Sequence, residues 1–188
     1  AAFAAEHGLK IGTIADLIHF RLVNERTIRR VREGDIDTAY GPFRLIAYRD
    51  QTSGDVHLAL TRGDITPDNP TLVRVHVQSA LRDLVNTEVD GGPGWSMARC
   101  LQAVADRGRG VVVLLARDES PEKLLSSIDL ALGREDDAHG APDTNPTVGV
   151  GSQILRDLGV GKIHLMGAPI KYNAISGFDL EVLEFVNP

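Results

Sequence analysis

LVRVHVQSALRDLVNTEVDGGPGWSMARCLQAVADRGRGVVVLLA, residues 72–116, is the stretch whose reading decides the fold. Val73, Val75 and Val77 alternate with Arg74 and His76, the period-two pattern of a strand. An irregular polar loop follows and is closed by Gly91, Gly92, Pro93 and Gly94. Met97, Leu101, Val104 and Ala105 then recur at helical spacing. Gly108 and Gly110 end that helix and release the run 111–116, whose β-branched and leucine content predicts a buried strand.

Upstream, Phe43, Leu45 and Ala47 alternate with Arg44, Ile46 and Tyr48, and Val56, Leu58 and Leu60 alternate with their neighbours. The DQTSGD between them is turn-rich, so these segments predict an antiparallel meander. Earlier still, Thr13 and Asp16 have the form of a capping box before Ile14, Leu17, Ile18 and Leu22, which predicts a helix over 14–25. Downstream, Ser120 followed by Pro121 starts a helix over 122–132. Residues 133–147, GREDDAHGAPDTNPT, lack any period and are expected to be a loop. A helix over 153–158 and strands over 162–166 and 180–185 complete the pattern. The expected fold class is α/β (α+β) with a mixed sheet, a β-rich first half and an alternating helix and strand second half.

Composition removes several classes of function. With 188 residues and 43% hydrophobic side chains the chain can bury a core of its own. The net charge of −6 is mixed in sign with no basic run, which argues against nucleic acid as a partner. No apolar stretch reaches the roughly 20 residues that span a bilayer, and the N-terminal residues do not read as a signal peptide. A single cysteine, Cys100, excludes an internal disulfide and a cysteine-cluster metal site within one chain. A reducing, cytoplasmic setting is expected.

Several phrases then converge on a family. HLALTRGDI, LVRVHV, ADRGRGVVVLL and, most specifically, VGVGSQILRDLGVGKIHLM resemble GTP cyclohydrolase II of riboflavin synthesis. The opening AAFAAEHGLKIGTIADLIHFR resembles the tail of 3,4-dihydroxy-2-butanone 4-phosphate synthase, which in many bacteria is fused upstream of the cyclohydrolase. The two resemblances imply a tail or linker over 1–30, a cyclohydrolase-like domain over 31–188, and the C-terminal part of a multifunctional fusion protein.

The resemblance also implies a zinc held by three cysteines, whose positions here fall on Ser79, Gly91 and Pro93. None can ligate as a thiolate, so zinc is expected to be absent and no cofactor is assigned. Further family positions have changed. Its helix-start glutamine is Ser96, its Glu-Gly-Arg phrase is Glu119, Ser120 and Pro121, and a following tyrosine falls near Ala131. The segment with its catalytic Asp and Arg reads Thr144, Asn145 and Pro146, and its phosphate turn reads 167–171 with Lys171 as the one cation. No catalytic residue is therefore assigned. Arg74, His76, Glu119 and Lys171 are the candidates for residual anion or nucleotide binding.

Other residues have ordinary explanations. Cys100 is expected to be a packed thiol, Trp95 a core or dimer-interface anchor, and Gly149 and Gly151 a means of close helix approach rather than a phosphate loop. His139 beside Glu135, Asp136 and Asp137 reads as a solvated acidic loop. The expected function is an inactive cyclohydrolase-like domain, homodimeric, that supports or regulates the synthase domain of the same polypeptide. The alternatives are a nucleotide- or metabolite-binding regulatory domain and an active GTP cyclohydrolase II.

Overall fold

The computed structural model describes residues 7–8, 20, 25–85, 87, 94–116, 120–134, 144–167 and 179–188. Within them the strands are β1 (Ile28–Thr38), β2 (Gly41–Asp50), β3 (Val56–Arg62), β4 (Thr71–Val77), β5 (Gly110–Leu115), β6 (Lys162–Met166) and β7 (Glu181–Val186). The helices are α1 (Met97–Arg107), α2 (Pro121–Ala131) and α3 (Thr144–Asp157), and one π-helical turn covers Leu81–Val85. The strands form a mixed sheet in the order β1-β2-β3-β5-β4-β6-β7. From β1 to β5 neighbours are antiparallel, and from β5 to β7 they are parallel.

The valine run of β5 explains its central place. Val111 and Val113 face one core with Ile46, Tyr48, Val73, Ile154 and Ile163, while Val112 faces the other with Phe43, Leu60, Leu72, Cys100 and Val104. Alternate side chains of one strand thus enter two cores, so both must be apolar. Helix α3 covers the first face through Ile154 and Leu155, and α1 covers the second through Cys100, Leu101 and Val104. β2 behaves likewise, since Phe43, Ile46 and Tyr48 are all buried. The meander is therefore more deeply enclosed than its alternation with Arg44 suggests.

Local chemistry sets the limits of α1. The Ser96 hydroxyl caps its start by accepting from the Arg99 N–H (3.3 Å), and Gly108 ends it in the left-handed region at φ 71°. There the Gly108 N–H donates back to Val104 and Ala105 carbonyls. At α3, a Cβ on Gly151 would lie 2.9 Å from Val75 Cγ1, so this glycine brings the helix onto β4. The C-terminal end of α3 is pinned to the meander, where the Tyr48 hydroxyl donates to Asp157 Oδ2 (2.9 Å) and Arg30 Nη2 donates to the Asp157 carbonyl (2.8 Å). Burial first, and then Asp157, pushes the Tyr48 phenol well above its ordinary pKa.

Two elements depart from expectation. β1 is not foreseen, because Arg29, Arg30, Arg32, Glu33 and Asp35 mask its period. It is a sheet edge, where exposed charge is tolerated and discourages pairing with other chains. The loop expected over 133–147 stops earlier, because α3 already begins at Thr144. Thr144, Asn145 and Pro146 form its first turn, where proline's missing N–H removes no helical bond. The helix expected over 14–25 lies outside the described residues, apart from Phe20 and Glu25.

Candidate functional site

The parallel half of the sheet sets the place. The chain passes from β4 through α1 to β5 on one side, whereas β6 pairs with β4 on the other. Strand order reverses about β4, and the crevice beyond the carboxyl end of a strand at such a point is where open α/β sheets bind ligands. His76, Val77 and Ser79 sit at that end, followed by the π turn.

The centre of the site is Asp83, a residue for which the sequence analysis had no role. Its carboxylate lies 3.0 Å (Oδ1) and 2.9 Å (Oδ2) from His76 Nε2, accepts from the Ser79 N–H at 2.9 Å, and accepts from the Met97 N–H at 2.9 Å. One buried side chain therefore joins the end of β4, the turn after it and the first turn of α1. Its place at the start of α1 also suits the positive end of the helix dipole. Burial works against ionisation of Asp83, but the donors from Ser79, His76 and Met97 outweigh it and hold the carboxyl below its usual range. The only trace in the sequence was a carboxylate next to Arg82 within the otherwise apolar Leu81–Val85.

His76 is completely buried. Burial lowers its pKa, Asp83 opposes the shift, and Arg82 and Arg74 add to it. A neutral ring facing an ionised carboxylate carries its proton on Nε2, an assignment that follows from the hydrogen bond. Nδ1 is then an acceptor, and it is buried with no hydrogen-bond partner among the described residues. Arg74, the predicted anion ligand, donates from Nη1 to the Met166 carbonyl at 2.7 Å and so ties β4 to the end of β6. Glu119 and Lys171, with Gly91 and Pro93, lie outside the described residues.

Beside this centre is a cleft of about 230 Å³ between the π turn and α2, lined by Ser79, Arg82, Thr87 and Ser127 among others. Arg82 Nη2 donates to the Val77 carbonyl at 2.9 Å. Cys100 is fully buried in α1, and burial pushes its thiol up to about 11, so it stays protonated at neutral pH. Trp95 packs in the core on the α1 face and donates from Nε1 to the Val186 carbonyl at 3.2 Å, in accord with the core-anchor expectation.

The sequence profile of GTP cyclohydrolase II matches residues 29–187. The chain belongs to the GTP cyclohydrolase II family. Among curated relatives of this family member, a 3,4-dihydroxy-2-butanone 4-phosphate synthase of Pseudomonas aeruginosa is 52% identical over 98% of this chain and 50% of its own length. A riboflavin biosynthesis protein RibBA of Chlorobium phaeovibrioides is 36% identical over 95% of this chain and 46% of its own. The crystal structure of RibBX, a two domain 3,4-dihydroxy-2-butanone 4-phosphate synthase from A. baumannii, superposes with a TM-score of 0.63 at 37% identity, covering 98% of this chain and 48% of that one. The chain spans about half the length of these relatives.

A zinc held by three thiolates does not fit this cyclohydrolase-family chain. Its one cysteine is buried in α1 as a neutral thiol, and Ser79, at the first ligand position that the resemblance implies, gives its N–H to Asp83. No group of three His, Cys, Asp or Glu side chains suited to a metal occurs among the described residues. No helix among them is long and apolar enough to cross a membrane.

Proposed function

We propose that this chain is a cyclohydrolase II-like domain of riboflavin biosynthesis that does not open the guanine ring of GTP. It supports or regulates a 3,4-dihydroxy-2-butanone 4-phosphate synthase within one longer, homodimeric, cytoplasmic polypeptide. The observation that carries the reading is the donor set at the end of β4, a serine and a saturated Asp83 carboxylate with the one thiol buried elsewhere. Loss of the metal that activates the attacking water removes much of the roughly 8–23 kcal/mol that an enzyme supplies. The chain keeps two well-packed apolar cores, and a fold can persist while its chemistry is lost.

The test has two arms. Purified protein is assayed for bound zinc and for formate release from GTP with magnesium; stoichiometric zinc with turnover would establish an active cyclohydrolase instead. Synthase activity and thermal stability are then compared in the longer polypeptide with and without this segment. A drop in either supports the reading, and equality in both removes the supporting role.

A second reading, a regulatory domain that binds a nucleotide or pathway metabolite, is favoured by the cleft beside Ser79 and Arg82. A ligand present at 100 times its Kd stabilises by about 2.7 kcal/mol, which a thermal-shift screen with GTP, GDP and flavin-pathway compounds detects.

A further inference from the structure

We propose that the cleft between the π turn and α2 binds a small phosphate ester, with the Arg82 guanidinium as its cation and the Thr87 hydroxyl as a second donor. This rests on the second reading above and narrows it to a ligand class. Four observations lead to it.

First, Arg82 and Thr87 line the cleft, and Arg82 Nε and Thr87 Oγ1 are buried beside it with no hydrogen-bond partner among the described residues. A buried donor left without a partner is costly, so a pair of them beside one cleft calls for a bound group that accepts hydrogen bonds. Second, Arg82 is already oriented. Nη2 is held on the Val77 carbonyl at 2.9 Å, while Nε stands 3.9 Å from Asp83 Oδ1, too far for a hydrogen bond. A guanidinium fixed through one nitrogen suits planar recognition of a phosphate.

Third, the charge favours an anion. Arg74 and Arg82 both act on His76 and Cys100, and Asp83 is the carboxylate close to the same groups. That carboxylate already accepts from His76, Ser79 and Met97, and no acidic side chain among the described residues lines the cleft. Fourth, the size selects the class. The cleft, about 230 Å³, lies below the roughly 300–1,000 Å³ of drug-sized pockets, a size that suits a phosphate with a short carbon chain.

The test uses the full chain with inorganic phosphate, glycerol 3-phosphate and GTP as probes, by thermal shift and calorimetry at ionic strength matched with chloride. The expected result is saturable stabilisation by glycerol 3-phosphate and inorganic phosphate, weakened at least tenfold in Arg82→Gln and several-fold in Thr87→Val. Arg82→Lys keeps the charge without the fork and is expected to fall between. Because Arg82 also holds the Val77 carbonyl, each variant is read by its ligand-induced shift, not by its starting melting temperature. Equal shifts in wild type, Arg82→Gln and Thr87→Val, or none beyond the chloride control, would overturn the proposal. Stabilisation by GTP alone would overturn the small-ligand class while leaving the nucleotide reading intact.

Discussion

Replacing Asp83 tests how the end of β4 is held. Its carboxylate serves the His76 ring and the N–H groups of Ser79 and Met97, with the Asp83 side chain 8% exposed and that of His76 0%. Asp83→Ala removes the acceptor for three donors at once. At about 1–3 kcal/mol for each buried donor left unmade, and allowing for non-additivity among neighbours, the loss is about 3–6 kcal/mol. That is a large part of the roughly 5–15 kcal/mol that keeps a domain folded, so this variant can fail to fold. Asp83→Asn is the more readable change. It keeps one oxygen for Ser79 or Met97 but turns an amide donor toward donors, and the expected loss is about 1.5–3 kcal/mol.

Urea unfolding followed by circular dichroism gives the free energies, and amide exchange at Ser79 and Met97 localises them. The pH dependence adds a signature. Asp83 has a folded pKa below its unfolded value of 3.8, so its contribution is present above that pH and is lost as pH falls through the folded pKa. Asp83→Asn should remove this part of the acid limb. An Asp83→Asn protein within 0.5 kcal/mol of wild type, with unchanged exchange at Met97, would refute the idea that this carboxylate fastens β4 to α1.

Three further outcomes are expected. His76 has a folded pKa below 6.5, so the unfolded chain takes up its proton first and stability falls as pH drops below 6.5; melting temperature against pH should slope less in His76→Gln, and an NMR titration of His76 with an ordinary midpoint would contradict this. Cys100, with its thiol pushed up to about 11, should react with iodoacetamide at pH 8 only in denaturant, and rapid alkylation of native protein would show the burial to be wrong. Gly151→Ala places a methyl 2.9 Å from Val75 Cγ1 and should cost about 1–3 kcal/mol in chemical denaturation, whereas a neutral result would mean that α3 can move off β4 freely.

Much of the fold could be read without coordinates because burial imposes a period on the residues that suffer it. The alternating valines of 72–77, the helical spacing from Met97 to Ala105 and the run 111–115 each carry their secondary structure in composition, and glycines mark their ends. Elements whose stability comes from elsewhere were harder. β1 is an edge strand whose charges hide its period, and the first turn of α3 is made of Thr144, Asn145 and Pro146, which have none.

The candidate site divides in the same way. One cysteine in 188 residues is a property of the sequence alone, and it rules out a three-thiolate zinc site in one chain whatever the fold. The sequence likewise determined the family, through phrases in which packing glycines and apolar residues outnumber chemical groups. The partner of each polar side chain was a tertiary decision. Arg74, a candidate anion ligand, donates from Nη1 to the Met166 carbonyl, 92 residues away. His76 looked solitary until the turn after β4 brought Asp83 to its Nε2. Asp83 and Arg82 acquired roles only because the π turn sets them between β4 and the start of α1. Hydrogen bonding is directional and short-ranged, so it depends on where chain segments meet, whereas burial leaves its mark on each segment separately.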